Sequence, residues 1–316
     1  MWHGQPLPRA PCAAAIIALA SATAPASAQN TSEPAPVAAK PAPYSLPWLL
    51  RPAIPASVVR LDETMAFYRD PVSVASGASY LTGLIVTWKA SPNWVPVFRQ
   101  VFVHNDAPSG GRDVSGSGVS NPLLGVSYLL PFGRGWRFSC FAATTIPVGS
   151  GGGDSPDAGA AAAMSAAISA RSAMDNALFA VNYWTVVGGL GIARVTPGLT
   201  LQAEVTLLQL TRARGPASQD ESRTNLTAGL HVGHFVSPRL SLGGELRIQR
   251  WLSDAAPARR DPAAREQLTF GIGPRFHFKI AGRHWLRPGL SYSRAFDDPM
   301  KKKGYDILQL DVPLVF

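Results

Sequence analysis

The chain alternates between hydrophobic and polar residues over most of its length, with the two-residue period of a β-strand. The last such segment shows the pattern clearly, because every second residue from Leu308 to Phe316 is hydrophobic. Twelve segments share this pattern, and we predict a strand for each. They cover residues 58–67, 79–88, 93–103, 122–130, 136–146, 179–194, 199–212, 224–236, 240–252, 267–280, 285–296 and 305–316. Strands of about ten residues are long enough to cross a membrane when tilted.

The connections between these segments alternate between short and long. The short ones lie at residues 90–92, 131–135, 196–198, 237–239 and 281–284. The long ones cover residues 69–78, 105–121, 147–177, 213–223, 253–266 and 297–304. Outer-membrane barrels show this alternation because their periplasmic turns are short and their external loops are long. We therefore predict an all-β fold, a transmembrane antiparallel up-and-down β-barrel. About twelve strands are expected, with ten and fourteen as alternatives, and a soluble β-sandwich would share the alternation only by chance.

Ionisable side chains fall on the polar face of several predicted strands. The predicted lumen-lining residues are Arg99, Arg137, Glu204, Glu245, Arg247, Arg275, His277, Lys279, Arg287 and Asp311. Cations outnumber acids in this set, which favours the passage of anions or of molecules with an acidic group. In the alternative interpretation, a cross-strand ladder of ion pairs fills the lumen. Its members would be Glu245, Arg247, Arg275, Arg287 and Asp311.

The third long loop contains an alanine-rich segment, residues 155–176. Ser155 is a favourable N-cap and Pro156 suits the first helical position, so we predict a helix that begins there. Arg171 and Asp175 are four residues apart and are predicted to pair on one face of this helix. The helix either folds into the barrel mouth as a constriction, as the third loop of general porins does, or lies on the surface without a gating role. The sequence leaves both possibilities open.

Aromatic residues mark one end of the predicted strands. Trp88, Trp94, Trp136 and Trp285 all lie beside short turns, which predicts an aromatic belt at the periplasmic side of the membrane. Phe316 closes the last strand and is predicted to be the sorting signal for the barrel-assembly machinery.

The first 47 residues are predicted to lie outside the barrel. Arg9, the apolar residues 13–20 and the sequence Ala-Ser-Ala at 26–28 together predict a signal peptide over residues 1–28. Residues 29–47 are rich in proline and alanine and are predicted to be a disordered periplasmic lead-in. The barrel is assigned to residues 48–316. No segment is apolar for long enough to form a membrane-spanning helix.

The formal net charge is +9, but the basic residues are spread over many segments and form no continuous stripe. We therefore expect no nucleic-acid partner. In a barrel, such residues would divide between the lumen and external loops that face anionic lipopolysaccharide. The expected partners are outer-membrane lipid, lipopolysaccharide and an unidentified small-molecule solute.

Candidate chemistry along the chain is sparse. We expect no set of serine, histidine and acid to converge at the external rim, where a lipid-modifying barrel enzyme would need one. His231 and His234 are three residues apart in a strand, so their rings would point to opposite faces and would bind a metal ion poorly. The sequence therefore predicts no metal, no cofactor and no catalytic residue.

Three short segments are similar to a known family of barrels. They are Asn-Pro-Leu-Leu-Gly-Val-Ser-Tyr at 121–128, Ile-Pro-Val-Gly at 146–149 and Gly-Pro-Arg-Phe at 273–276. With the aromatic terminus, they make the chain resemble outer-membrane transporters of the phenol meta-pathway type and their uncharacterised proteobacterial relatives. The resemblance implies uptake of small aromatic or hydrophobic compounds and transfers no binding residue. We expect a passive channel, with a structural or adhesion barrel of plugged lumen as the first alternative and a lipid-acting rim enzyme as the second.

Overall fold

A computed structural model of the protein describes residues 44–71, 75–108, 114–282 and 284–316. Its strands are β1 (Val58–Arg69), β2 (Ser76–Thr87), β3 (Trp94–Asp106), β4 (Gly116–Val119), β5 (Leu123–Phe132), β6 (Trp136–Thr145), β7 (Tyr183–Thr196), β8 (Leu199–Arg212), β9 (Ser222–Ser237), β10 (Leu240–Trp251), β11 (Glu266–Phe276), β12 (Phe278–Ala281), β13 (His284–Leu286), β14 (Gly289–Ala295) and β15 (Asp306–Val315). The helices are α1 (Ala158–Ala170), α2 (Asn176–Phe179) and α3 (Ala256–Arg260), with a 3₁₀ turn at Pro262–Arg265.

The strands form one antiparallel sheet that closes on itself, because β1 pairs with both β2 and β15. The wall contains twelve strands. Strands β11 and β12 are two parts of one interrupted strand, and so are β13 and β14. Strand β4 is not counted separately, because it pairs only with the external half of β3, whose other half pairs with β5. This confirms the predicted twelve-stranded, up-and-down barrel. Strand β4 was not predicted and lies inside the second predicted external loop.

The two faces of each strand meet different surroundings. On β10, Ser241, Glu245 and Arg247 are buried inside the barrel, whereas Leu242 and Leu246 are 48% and 41% exposed on its outer wall. Lipid accepts such an apolar wall directly, and a closed sheet leaves no unpaired strand edge in the membrane. Among the described residues, no helix is both long and apolar enough to cross a membrane.

Residues 44–54 lie inside the barrel, and we call them the lumen segment. The side chains of Tyr44, Trp48 and Leu50 are at most 3% exposed. The predicted disordered lead-in, residues 29–47, is therefore wrong for its last four residues. Residues 1–43, which include the predicted signal peptide, lie outside the described part of the chain.

The third external loop contains α1, as the alanine-rich segment predicted, but the helix begins later than expected. Asp157, rather than Ser155, is the N-cap, and its side chain accepts a hydrogen bond from Ala160 N at 2.7 Å. The helix ends at Ala170, so Arg171 and Asp175 lie in the turn that follows it. An aspartate carboxylate competes well for the N-cap position, because it also interacts favourably with the positive end of the helix.

Candidate permeation path

Two glutamates of the barrel wall hold the lumen segment by its backbone N–H groups. Glu245 on β10 accepts hydrogen bonds from the N–H groups of Trp48 and Leu49, the latter at 3.2 Å. Glu204 on β8 accepts from Arg51 N at 2.9 Å and forms an ion pair with the Arg51 guanidinium at 3.2 Å. Buried backbone donors need partners, and carboxylates are strong acceptors. Two of the three predicted lumen acids therefore bind the lumen segment.

Basic and amide side chains bind the carbonyl groups of the same segment. Arg275 Nε donates to Leu46 O at 3.1 Å, and Arg60 Nη1 donates to Pro47 O at 3.2 Å. On the opposite wall, Gln202 Nε2 donates to Arg51 O at 2.7 Å. The lumen segment has no secondary structure of its own, so these bonds take the place of a sheet or helix ladder.

Inward-facing glycines on β9 and β10 make room for the lumen segment. A Cβ atom at Gly229 would lie 2.4 Å from Leu50 Cδ2, and one at Gly243 would lie 2.9 Å from Trp48 Cη2. At Gly233, the same atom would lie 2.2 Å from Ser45 Oγ. These distances are shorter than a carbon or oxygen contact allows, so a side chain at any of these wall positions would force the lumen segment to shift.

The turn after α1 is fixed inside the barrel by a second network of charges. Arg171 Nη1 contacts Asp62 Oδ2 on β1 at 3.0 Å, and Arg171 Nε contacts Asp175 Oδ2 at 3.0 Å. Arg99 on β3 binds both oxygens of Asp175, at 2.9 and 2.7 Å. Burial alone would raise the pKa of Asp175, but Arg99 and Arg171 hold the pKa of this carboxyl well below its ordinary value. Arg171 and Asp175 thus join α1 to two strands of the wall.

We expect this anchor to withstand moderate acid. The pKa of Asp175 is lowered in the folded protein, so ionised Asp175 stabilises the folded state. This stabilisation is complete above the ordinary pKa of 3.8 and is lost as the pH falls from there through the lowered pKa. Amide hydrogen exchange of α1, corrected for the intrinsic rate, should be the same at about pH 7 and about pH 5 and should accelerate only below about pH 4. Faster exchange at about pH 5 would contradict this account.

Small apolar side chains on α1 fill the external half of the lumen. Ala163, Met164 and Ala167 are buried in one cluster with Leu81 of β2 and Val103 of β3. Alanine and methionine suit this position, because the helix lies close to the wall and its gaps are irregular. The third loop thus folds inward rather than over the outer rim.

The ion pairs of the alternative interpretation are present in part. Glu245 and Arg247 are in contact at 2.8 Å, and Arg275 binds both oxygens of Asp311 at 2.8 Å. Arg287 does not join the ladder; it contacts Tyr44 O at 3.4 Å instead. Within the described residues, neither Arg287 nor Arg137 forms an ion pair.

Two other predicted lumen residues have different surroundings. His277 is buried, with Nε2 at 2.9 Å from Ser241 Oγ. Lys279 is exposed on β12, and its lumen position stays a prediction. The ladder between β10 and β11 ends at Phe276, so β12 pairs only with β13, which pairs in turn with β15.

Two adjoining cavities run along one side of the lumen. The larger, of about 70 Å³, lies between the lumen segment and the wall of β1, β2, β3, β5 and β15. The smaller, of about 50 Å³, lies between the lumen segment and the turn after α1. Both are lined by Leu49, Arg51, Val97 and Arg99, so these residues mark the junction.

The wall of the larger cavity is apolar, which is unusual for the inside of a barrel. Its lining includes Ile85 on β2, Val95 and Val97 on β3, and Leu129 on β5. The opposite wall, on β8 to β10, carries Gln202, Glu204, Glu245 and Arg247. The lumen therefore has one apolar side and one polar side. The sequence indicates the apolar side, because residues 94–103 carry hydrophobic side chains on both the lipid-facing and the lumen-facing sides of the strand.

Comparison with known proteins places the chain in a family. Residues 53–297 match a family model described as "Putative MetA-pathway of phenol degradation". The chain belongs to this family. The match confirms the resemblance that the three short sequence segments indicated. No curated protein sequence matches the chain.

Two solved structures show the fold of this phenol-degradation family member. The COG4313 outer membrane channel from Pseudomonas putida F1 is 11% identical, with a TM-score of 0.53 over 85% of this chain and 98% of that chain. The NanC porin is 10% identical, with a TM-score of 0.50 over 81% of this chain and 98% of that chain. At such low identity the similarity establishes a shared barrel fold.

Proposed function

We propose that this protein is a passive outer-membrane channel for small organic molecules that combine an apolar or aromatic body with an acidic group. The observation that carries the proposal is the apolar wall inside the barrel. A wet lumen is ordinarily lined by polar side chains, because exposing apolar side chains to water costs free energy. A permeating molecule with an apolar body would cover this wall.

The charge of the described lumen residues supports the acidic part of the solute. The acids Asp62, Asp175, Glu204, Glu245 and Asp311 all have ion-pair partners. Arg137 and Arg287 have none among the described residues, and both lie near Tyr44 of the lumen segment. Unpaired cations raise the local concentration of anions and lower that of cations.

Constriction of the path is part of the proposal. The third loop narrows the lumen from outside and the lumen segment narrows it from the periplasmic side. Solute would pass along the side of the two cavities, where Arg51 and Arg99 line the junction. In this arrangement α1 restricts the size of the solute without closing the barrel.

Replacing Arg137 and Arg287 with glutamine should shift the channel towards cations. Both changes keep a polar side chain of similar length and remove a positive charge that no carboxylate neutralises. The reversal potential under a salt gradient, measured across a planar bilayer, should move in the cation-selective direction. Arg134→Gln is the matched control, because Arg134 is exposed in the nearby turn between β5 and β6 and should leave the potential unchanged. Equal potentials for the wild type and the double variant would refute the anion preference.

A structural barrel with a plugged lumen remains the alternative, and one observation favours it. The lumen segment and the third loop are both held by buried, charge-assisted hydrogen bonds, which are strong. If neither the lumen segment nor the third loop moves, the cavities form no continuous path across the membrane. This alternative predicts no conductance from the wild type, whereas the channel proposal predicts conductance. One recording of the wild type in a planar bilayer therefore distinguishes the two.

A further inference from the structure

A serine, a histidine and an aspartate meet on the outer wall of the barrel, contrary to the expectation from the sequence. His104 Nδ1 lies 2.7 Å from Ser117 Oγ, and His104 Nε2 lies 3.1 Å from Asp106 Oδ1. The strand ladder creates this contact, because His104 of β3 pairs directly with Ser117 of β4 and Asp106 follows on the same face of β3. Ser117 was predicted to lie in an external loop, so the sequence did not indicate this contact.

We propose that Ser117, His104 and Asp106 form a catalytic site that hydrolyses ester-linked acyl chains of lipids at the outer surface of the membrane. The three side chains have the order of contacts that activates a serine nucleophile, in which a histidine lies between the hydroxyl and a carboxylate. This activity goes beyond the channel and is independent of it, because the site lies on the opposite side of the barrel wall from the lumen.

The position of the site matches a lipid substrate. His104 is 42% exposed, whereas its neighbours Val103 and Asn105 are buried in the barrel, so the histidine faces outward. It lies two residues from the external end of β3. One row nearer the membrane centre, the exposed Phe102 pairs with the exposed Val119. An ester group at the membrane surface would reach Ser117 while its acyl chain covers these two side chains.

A donor for the oxyanion is available on β4. Val119 N donates to Ser150 Oγ at 3.0 Å, and Val119 O accepts from Ser150 N at 2.8 Å. The backbone N–H and C=O groups of Val119 therefore point away from β3. Ser117, two residues earlier, presents its own N–H on the same edge. The first turn of α1 lies on the inner face of β4, because a Cβ atom at Gly116 would clash with Gly159 C, whereas Ser117 faces outward. Negative charge that develops on the outer face would therefore be stabilised by the Ser117 N–H and not by α1.

The reaction needs only water and the three side chains. His104 Nδ1 takes the proton of Ser117 as Oγ attacks the ester carbonyl carbon, while Nε2–H donates to Asp106. The tetrahedral intermediate collapses when its carbon–oxygen bond to the alcohol breaks, and His104 gives the proton to the departing alcohol. Water then attacks the acyl group on Ser117, again with His104 as base. The fatty acid leaves and the serine hydroxyl is restored, so the net change is ester plus water to acid plus alcohol.

The test uses the full chain refolded in detergent micelles. A fluorophosphonate should label the wild type at Ser117, with a new phosphorus–oxygen bond and loss of fluoride, and mass spectrometry locates the adduct. Hydrolysis is followed with p-nitrophenyl butyrate, p-nitrophenyl palmitate and phospholipid in mixed micelles. We expect the long-chain ester and the phospholipid to be cleaved faster than the butyrate. Ser117→Ala and His104→Gln should each lower the rate at least about a thousandfold.

Ser115→Ala is the matched control, because Ser115 is an exposed serine next to the same strand and its hydroxyl accepts from Ala107 N at 2.9 Å. This variant should retain the wild-type rate and adduct. Folding of every variant is checked by heat-modifiable migration on a gel, and His104→Gln provides a second test if Ser117→Ala does not fold. Hydrolysis no faster than in empty micelles would overturn the proposal, as would an adduct on another residue or a folded Ser117→Ala with undiminished activity. Preference for the soluble butyrate would overturn the lipid assignment.

Discussion

Replacing Gly243 with valine should expel the lumen segment from the barrel and raise solute flux severalfold. The first added carbon would lie 2.9 Å from Trp48 Cη2 and 3.2 Å from His231 Cε1, and the two further methyl groups of valine leave no room for the indole ring. Valine is favourable in a strand, so the wall itself should tolerate it. The rate of liposome swelling in solutions of a small organic anion measures the flux.

Gly244→Val is the matched control for this change. Gly244 is the next residue of β10 and faces outward, and a Cβ atom there meets nothing closer than Gly271 O at 3.8 Å. It adds the same side chain to the same strand without touching the lumen segment, so its swelling rate should equal that of the wild type. Equal rates for Gly243→Val and Gly244→Val would mean that residues 44–54 do not obstruct the path.

Replacing Arg171 with alanine should lower the free energy of unfolding by about 3 kcal/mol, since removal of one partner leaves buried carboxylates undercompensated. This loss of stability is at the lower end of what is usual when one partner of a buried ion pair is removed. The reason is that Asp62 still pairs with Arg60, and Asp175 still pairs with Arg99. Urea unfolding in detergent micelles, followed by tryptophan fluorescence, measures the loss.

Arg259→Ala is the comparison for this second change. Arg259 forms an ion pair with Asp220 at 2.5 Å, but the arginine is exposed in an external loop, where such pairs contribute little. Its unfolding curve should coincide with that of the wild type. If Arg171→Ala also unfolds like the wild type, the turn after α1 is not anchored in the lumen as described.

The barrel could be predicted from the sequence because its determinants are local. Alternation along each strand fixes which residues face lipid, and the alternating loop lengths fix the direction of each strand. The predicted segment 199–212 coincides with β8, and most other boundaries differ by a few residues. Lys279 shows the limit of this logic, because β12 has a neighbouring strand on one side only and alternation alone does not decide which of its side chains are enclosed.

The contents of the lumen could not be predicted in the same way. The lumen segment is held by contacts between residues far apart in sequence, such as Trp48 with Glu245, and by glycines that act through the absence of a side chain. Its composition resembles that of a disordered tail, although the unbroken apolar residues 48–50 were a sign of burial. The candidate site on the outer wall depends in turn on β4, a four-residue strand within a long loop.

Single-channel recording of the refolded wild type in a planar bilayer under a salt gradient tests the central claim most directly. We expect discrete, anion-selective conductance steps that enlarge when residues 158–175 are replaced by a short flexible linker. Silence from the wild type together with silence from the linker variant would contradict the proposed channel and would show that the lumen is a filled scaffold.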